Sequence, residues 1–103
     1  MGSAHIDTER QRIHEEAERY RVAREKALQR YAADVQRMRD WLDDPARASE
    51  MPSTEIQKIR AEVDRAEREV YEAADRTSAE INAGIEQALS QLAEAERAPG
   101  TRS

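Results

Sequence analysis

The chain has 103 residues, 38% of them charged and only 4% aromatic, with no Phe, no Cys and a formal net charge of −5. That length holds one domain at most, and so polar a composition cannot build a thick globular core; it fits the profile of long helices and coiled coils. The missing Cys excludes disulfides and thiolate metal sites. No apolar run reaches the length of a membrane span or a signal-peptide core, so no membrane insertion is expected. Residues 1–42 carry a net charge of +1 and residues 43–103 a net of −6, so nucleic-acid binding is disfavoured for want of a basic excess. Disorder competes as a reading of so polar a chain. Two sustained helical stripes argue against it.

In chain order, residues 1–6 read as a disordered N-terminus, and helix 1 is expected over about 7–43. Thr8 is the expected N-cap, with Asp7 and Glu9 suiting the positive end of the helix dipole. Its stripe runs Ile13, Ala17, Tyr20, Arg24, Leu28, Tyr31, Val35, Met38, Leu42, and Arg24 interrupts it. From Leu28 onward the steps are 3, 4, 3 and 4, a heptad pattern. Trp41 is expected to pack on the start of the second helix near Ile56 and Ile59, or else to anchor a partner.

Asp43-Asp44-Pro45 ends helix 1, because the residue before a proline is driven out of the α region. Residues 43–53 form a connector, in which Asp44 and Pro45 can start one short helical turn. Helix 2 is expected over about 54–97, capped by Ser53 or Thr54 with Thr54-Glu55-Ile56-Gln57 as a capping box. Its stripe is Ile56, Ile59, Val63, Ala66, Val70, Ala74, Thr77, Ile81, Ile85, Ala88, Leu92. That is 36 residues in ten steps, an average of 3.6, which is one face of an α-helix. Tyr71 falls just off the stripe and reads as a partner contact. Gly84 interrupts the helix at a cost of about 1 kcal/mol relative to Ala. Ala98-Pro99-Gly100 stops it, and 98–103 read as a disordered tail.

Residues that could carry chemistry are sparse. His5 and His14 are nine apart, with no HExxH and no paired Glu-x-x-His. No Ser lies in a GxSxG or SxxK setting, and the three Gly do not form a phosphate-cradling loop. Acid–base work needs a pocket that two helices do not enclose. No enzyme activity, cofactor or metal is expected. Arg12, Arg19, Lys26, Arg30 and Arg37 form a charged flank on helix 1, expected to pair with the acidic second helix.

The expected fold is therefore all-α: two long helices in an antiparallel, coiled-coil-like hairpin. Two helices bury little against a backbone ordering cost of about 1–2 kcal/mol per residue, so self-association into a four-helix bundle is expected to complete it. The interaction residues are Tyr20, Leu28, Tyr31, Val35, Met38, Trp41, Ile56, Ile59, Val63, Val70, Tyr71, Ile81, Ile85 and Leu92. Thr77–Leu92 is the first place to look for a second chain. The function expected is a non-enzymatic protein–protein interaction module, an adaptor, scaffold or regulatory subunit. Its partner would be a second copy or another helical protein, in the cytoplasm. Fifteen Arg against two Lys, with abundant Ala, suggests a bacterial source.

Two alternatives stand beside this. A helical hairpin of this length with Trp41 near the turn, and with Tyr71-Glu72-Ala73-Ala74-Asp75 matching a Y-x-x-x-D/E secretion pattern, resembles the WXG100 substrates of type VII secretion. That resemblance implies export by a leaderless route. Trp41-Leu42-Asp43 lacks the Gly of that family's turn, and the Tyr pattern falls in mid-helix. The other alternative is a nucleic-acid-associated phage or plasmid accessory protein, with the basic flank as its contact.

Overall fold

A computed structural model describes residues 2–97. They form α1 (Gly2–Asp43), α2 (Pro45–Glu50) and α3 (Ser53–Glu96), and the two long helices make the expected hairpin. The segment 98–103, expected as a disordered tail, lies outside the described residues, and so does the Ala98-Pro99-Gly100 stop.

The helix starts differ from those read in the sequence. α1 begins at Gly2, so residues 2–6 are helical rather than disordered. Thr8 is consequently inside the helix, and its hydroxyl donates back to the Ala4 carbonyl at 3.0 Å instead of capping. At α3 the Pro52 carbonyl accepts from the Glu55 and Ile56 amides at 3.0 and 3.2 Å. Pro52 thus holds the cap position, and Ser53 and Thr54 are already in the first turn, which puts the Thr54–Gln57 capping box out of step. The short turn at Asp44-Pro45 forms as expected. The Asp44 carboxylate accepts from the Ala46 amide at 2.9 Å, and Pro45 opens α2 where its missing N–H costs nothing.

The chain divides into two compact units, one of Met1–Arg24 with Arg76–Ser103 and the other of Glu25–Asp75. In the second unit α1 and α3 run antiparallel: moving up α1 from Tyr31 through Arg39 to Asp43, the partners on α3 descend from Tyr71 through Glu67 to Arg60. All three buried residues among those described belong to this unit: Val35, Leu42 and Ile56. In the first unit the inward side chains are half-buried, among them Ile13, Ala17, Tyr20, Ile81, Ile85 and Leu92. There Arg10 on α1 reaches Glu96 on α3 at 3.1 Å.

The inward stripes are not those drawn from apolar letters alone. On α1 they run Ile6, Arg10, Ile13, Ala17, Tyr20, Arg24, Leu28, Tyr31, Val35, Arg39, Leu42. On α3 a corresponding stripe runs Ile56, Arg60, Val63, Glu67, Val70, Ala74, Ser78, Ile81, Ile85, Ala88, Leu92. Arg39 therefore replaces Met38, Glu67 replaces Ala66, and Ser78 replaces Thr77. Long charged side chains bury their stems and keep their heads at the edge, so they can hold such positions. The steps alternate four and three except for doubled fours at 20–24–28 and 31–35–39 on α1 and at 70–74–78 on α3. An inserted step of four is a stutter, which locally unwinds a coiled coil. Two of these stutters centre on Arg24 and Ala74, beside the boundaries of the two units, and the third on Val35 within the Glu25–Asp75 unit, where it brings Arg39 onto the inward stripe.

Candidate interaction face

The Glu25–Asp75 unit has two unlike flanks. One is closed by charge. The Arg39 guanidinium reaches Asp64 at 2.7 Å and Glu67 at 2.8 Å, and Arg60 pairs with Asp43. Its hydrogen bonds to the Glu67 and then the Asp64 carboxylate push the Arg39 pKa still higher, so it is a permanent cation. Tyr31 and Tyr71 meet edge to face across the seam, with ring centroids 6.3 Å apart at 72°. Such aromatic pairs are worth about 0.5–1.5 kcal/mol beyond the area they bury.

The other flank is open and apolar. Successive residues of a helix are about 100° apart, so Met38 and Arg39 fall on opposite sides of the line through Val35 and Leu42. A groove there is lined by Tyr31, Asp34, Val35 and Met38 of α1 and by Val63 and Ala66 of α3. An adjoining recess on α1 is lined by Asp34, Arg37, Met38 and Trp41. Met38 and Trp41 are 45% and 44% exposed. The Arg47 guanidinium lies 4.4 Å from the Trp41 ring centroid and also reaches Glu50 at 3.1 Å. Trp41 therefore does not pack on the start of α3 as expected. Leu42, at 2% exposure, takes the buried place at that end, and Trp41 points outward under a cation supplied by α2.

In the other unit the charges pair mainly along α1. Arg12 bonds Glu9 at 2.8 Å and Glu16 at 2.9 Å, which lowers the Glu9 pKa and raises that of Arg12. Arg21 holds Glu18, whose pKa is lowered in the same way. A recess lined by Ala17, Glu18, Tyr20, Arg21, Arg24, Ser78 and Asn82 contains the Ser78 hydroxyl, buried with no hydrogen-bond partner.

The structure thus sorts the residues singled out in the sequence. Tyr20, Leu28, Tyr31, Val35, Ile56, Ile59, Val63, Val70, Ile81, Ile85 and Leu92 are buried or half-buried. Tyr71, read as off the stripe, joins them through its contact with Tyr31. Met38 and Trp41 stand apart on the open flank. The charged flank does not pair with α3 as expected: Arg12 and Arg37 bond carboxylates of α1, while Arg19, Lys26 and Arg30 are exposed. Arg10, Arg39 and Arg60 do reach carboxylates across the hairpin, which sequence reasoning missed because only the register between α1 and α3 brings those partners near. His5 and His14 are exposed, and among the described residues no group of His, Cys, Asp and Glu is placed to hold a metal ion. No described helix is long and apolar enough to cross a membrane.

No protein-family model, curated protein or solved structure matches this chain.

Proposed function

We propose that this chain is a non-enzymatic helical interaction module that works by associating with a second copy of itself or with another helical protein. The observation that carries this reading is the uncovered apolar flank, with Met38 and Trp41 exposed while, among the described residues, only Val35, Leu42 and Ile56 are buried. The surface area agrees. The chain exposes 7842 Å², whereas folded monomers of 11.8 kDa expose about 5,900 Å². The excess of roughly 1,900 Å² on one chain is more than the roughly 800 Å² that each partner contributes to a standard protein–protein interface.

Sedimentation velocity over a wide concentration range tests the self-association. A dimer or larger species that dissociates on dilution supports it. A monomer at every concentration, with a sharp and concentration-independent melt, sinks it. The secretion reading is less favoured, because Tyr71 already has a packing role against Tyr31. Export that stops when Tyr71 and Asp75 are both replaced, in chains that still fold, would revive it. A nucleic-acid role is disfavoured by the carboxylates that already hold Arg12 and Arg37, and a gel shift at low salt checks it.

A further inference from the structure

One face of α1 in the Glu25–Asp75 unit is complementary to itself. Arg30, Asp34, Arg37 and Trp41 are spaced four, three and four apart, which at 100° per residue puts them within about 60° of arc. They are turned well away from the seam that Val35 and Leu42 fill, and all four are exposed. Met38 rims the same recess. The order of this face matters. Counted from the midpoint between Val35 and Gln36, Asp34 and Arg37 are equidistant, and so are Arg30 and Trp41. A two-fold axis through that midpoint runs a second α1 antiparallel to the first.

We infer that the chain forms a homodimer through this face, with α1 packed on α1 of a second copy about that axis. Asp34 then meets Arg37 of the partner subunit, and Arg30 lies over the ring of the partner's Trp41, each twice by symmetry. Within one chain Arg37 already bonds Asp34, but a carboxylate has about four acceptor sites and a guanidinium five donors, so the two chains' pairs can merge into one four-membered ionic cluster. Arg47 lies over the Trp41 ring, yet Trp41 as a residue stays 44% exposed. The second copy is favoured over other occupants by this arrangement of charge. A cation, an anion, a second cation and an aromatic in that order satisfy their own reversal, whereas a face for an acidic partner would not carry Asp34 at its centre. The inference rests on the self-association reading above and names its surface.

The test uses charge reversal in the full chain, with sedimentation equilibrium as the readout and far-ultraviolet circular dichroism to confirm that helix content is kept. Arg37→Asp sets two acidic residues against each other at both symmetric pairs, and Asp34→Arg sets two basic ones. Each variant alone is expected to dimerise about tenfold more weakly than the parent. An equimolar mixture of the two restores opposite charges at both pairs and is expected to return to within about threefold of the parent affinity. The mixture is decisive, because each variant also places like charges three residues apart within its own helix, and mixing does not relieve that. Weakening without recovery in the mixture overturns the proposal. A parent dimer indifferent to both substitutions overturns the face and leaves self-association standing. A parent monomer at every concentration overturns both.

Discussion

Replacing Leu42 by Ala should cost the hairpin more than any other single truncation in the Glu25–Asp75 unit. Leu42 is the most buried residue described, at 2% exposure, with only Val35 and Ile56 nearly as covered. Leu-to-Ala changes in globular cores cost about 3–5 kcal/mol, the lost transfer energy plus a term for the cavity that stays open. Here the surroundings are thin, with half-exposed neighbours free to collapse inward, which keeps the cavity term small. The expected loss is therefore about 2–3 kcal/mol. Set against about 5 kcal/mol for a chain of this length at the low end of native stabilities, that is roughly half of the total. Urea unfolding followed by the helical dichroism signal measures it, at one protein concentration where sedimentation gives the same association state for all variants. The slope of free energy on urea should stay constant while the midpoint falls. Trp41→Ala and Met38→Ala, at the two exposed positions, should each cost less than about 1 kcal/mol in the same assay. If Leu42→Ala proves no worse than Trp41→Ala, the assignment of the buried and exposed sides of α1 is wrong.

Two further outcomes follow from the α1 and α3 helices. Gly84 has ordinary helical backbone, and a Cβ built on it meets nothing within 4 Å, so Gly84→Ala should stabilise the chain by up to about 1 kcal/mol in the same urea assay. A loss of stability would show that something packs on that position. Acid should weaken the early part of α1. Glu9 and Glu18 have pKa values lowered by their hydrogen bonds to Arg12 and Arg21, so below the ordinary carboxylate value near 4.5 the unfolded chain takes up protons first. Their contribution is present in full above that pH and is lost as pH falls through the lowered values. In a pH titration of thermal stability, Glu9→Gln with Glu18→Gln should flatten the fall below pH 4.5, and an unchanged fall would rule those pairs out as its source.

The fold class was readable because hydrophobic period, proline placement and length agree. Ile56 to Leu92 keeps a helical period for ten steps, and Asp44-Pro45 and Pro52 allow only a short connector. The details went astray where the physics is not in the letters. Met38 and Arg39 are neighbours in sequence, and choosing the apolar one for the seam was natural. What decides it is that Arg39 finds Asp64 and Glu67 across the hairpin, a match visible only once the register of α3 against α1 is set. Trp41 was misplaced for a related reason, since its cation comes from Arg47 of the short α2. The start of α1 was missed because Thr8 can cap a helix or bond back within one, and the sequence does not choose between these.

The charged residues in the seam have a consequence for how the two helices could slide. A purely apolar pair of long helices can shift by seven residues and bury nearly the same surface, so many alignments compete. With Arg39 inward that degeneracy is gone. A shift of one heptad sets Arg39 either against Arg60, where two cations meet, or against Ala74, where it has no carboxylate. In the alignment observed it finds Glu67 and Asp64 together, while Asp43 meets Arg60. A polar group placed in an apolar seam specifies register at some cost in stability. These ion pairs act less as glue than as the notch that selects one alignment of the hairpin from those its repeat would otherwise permit.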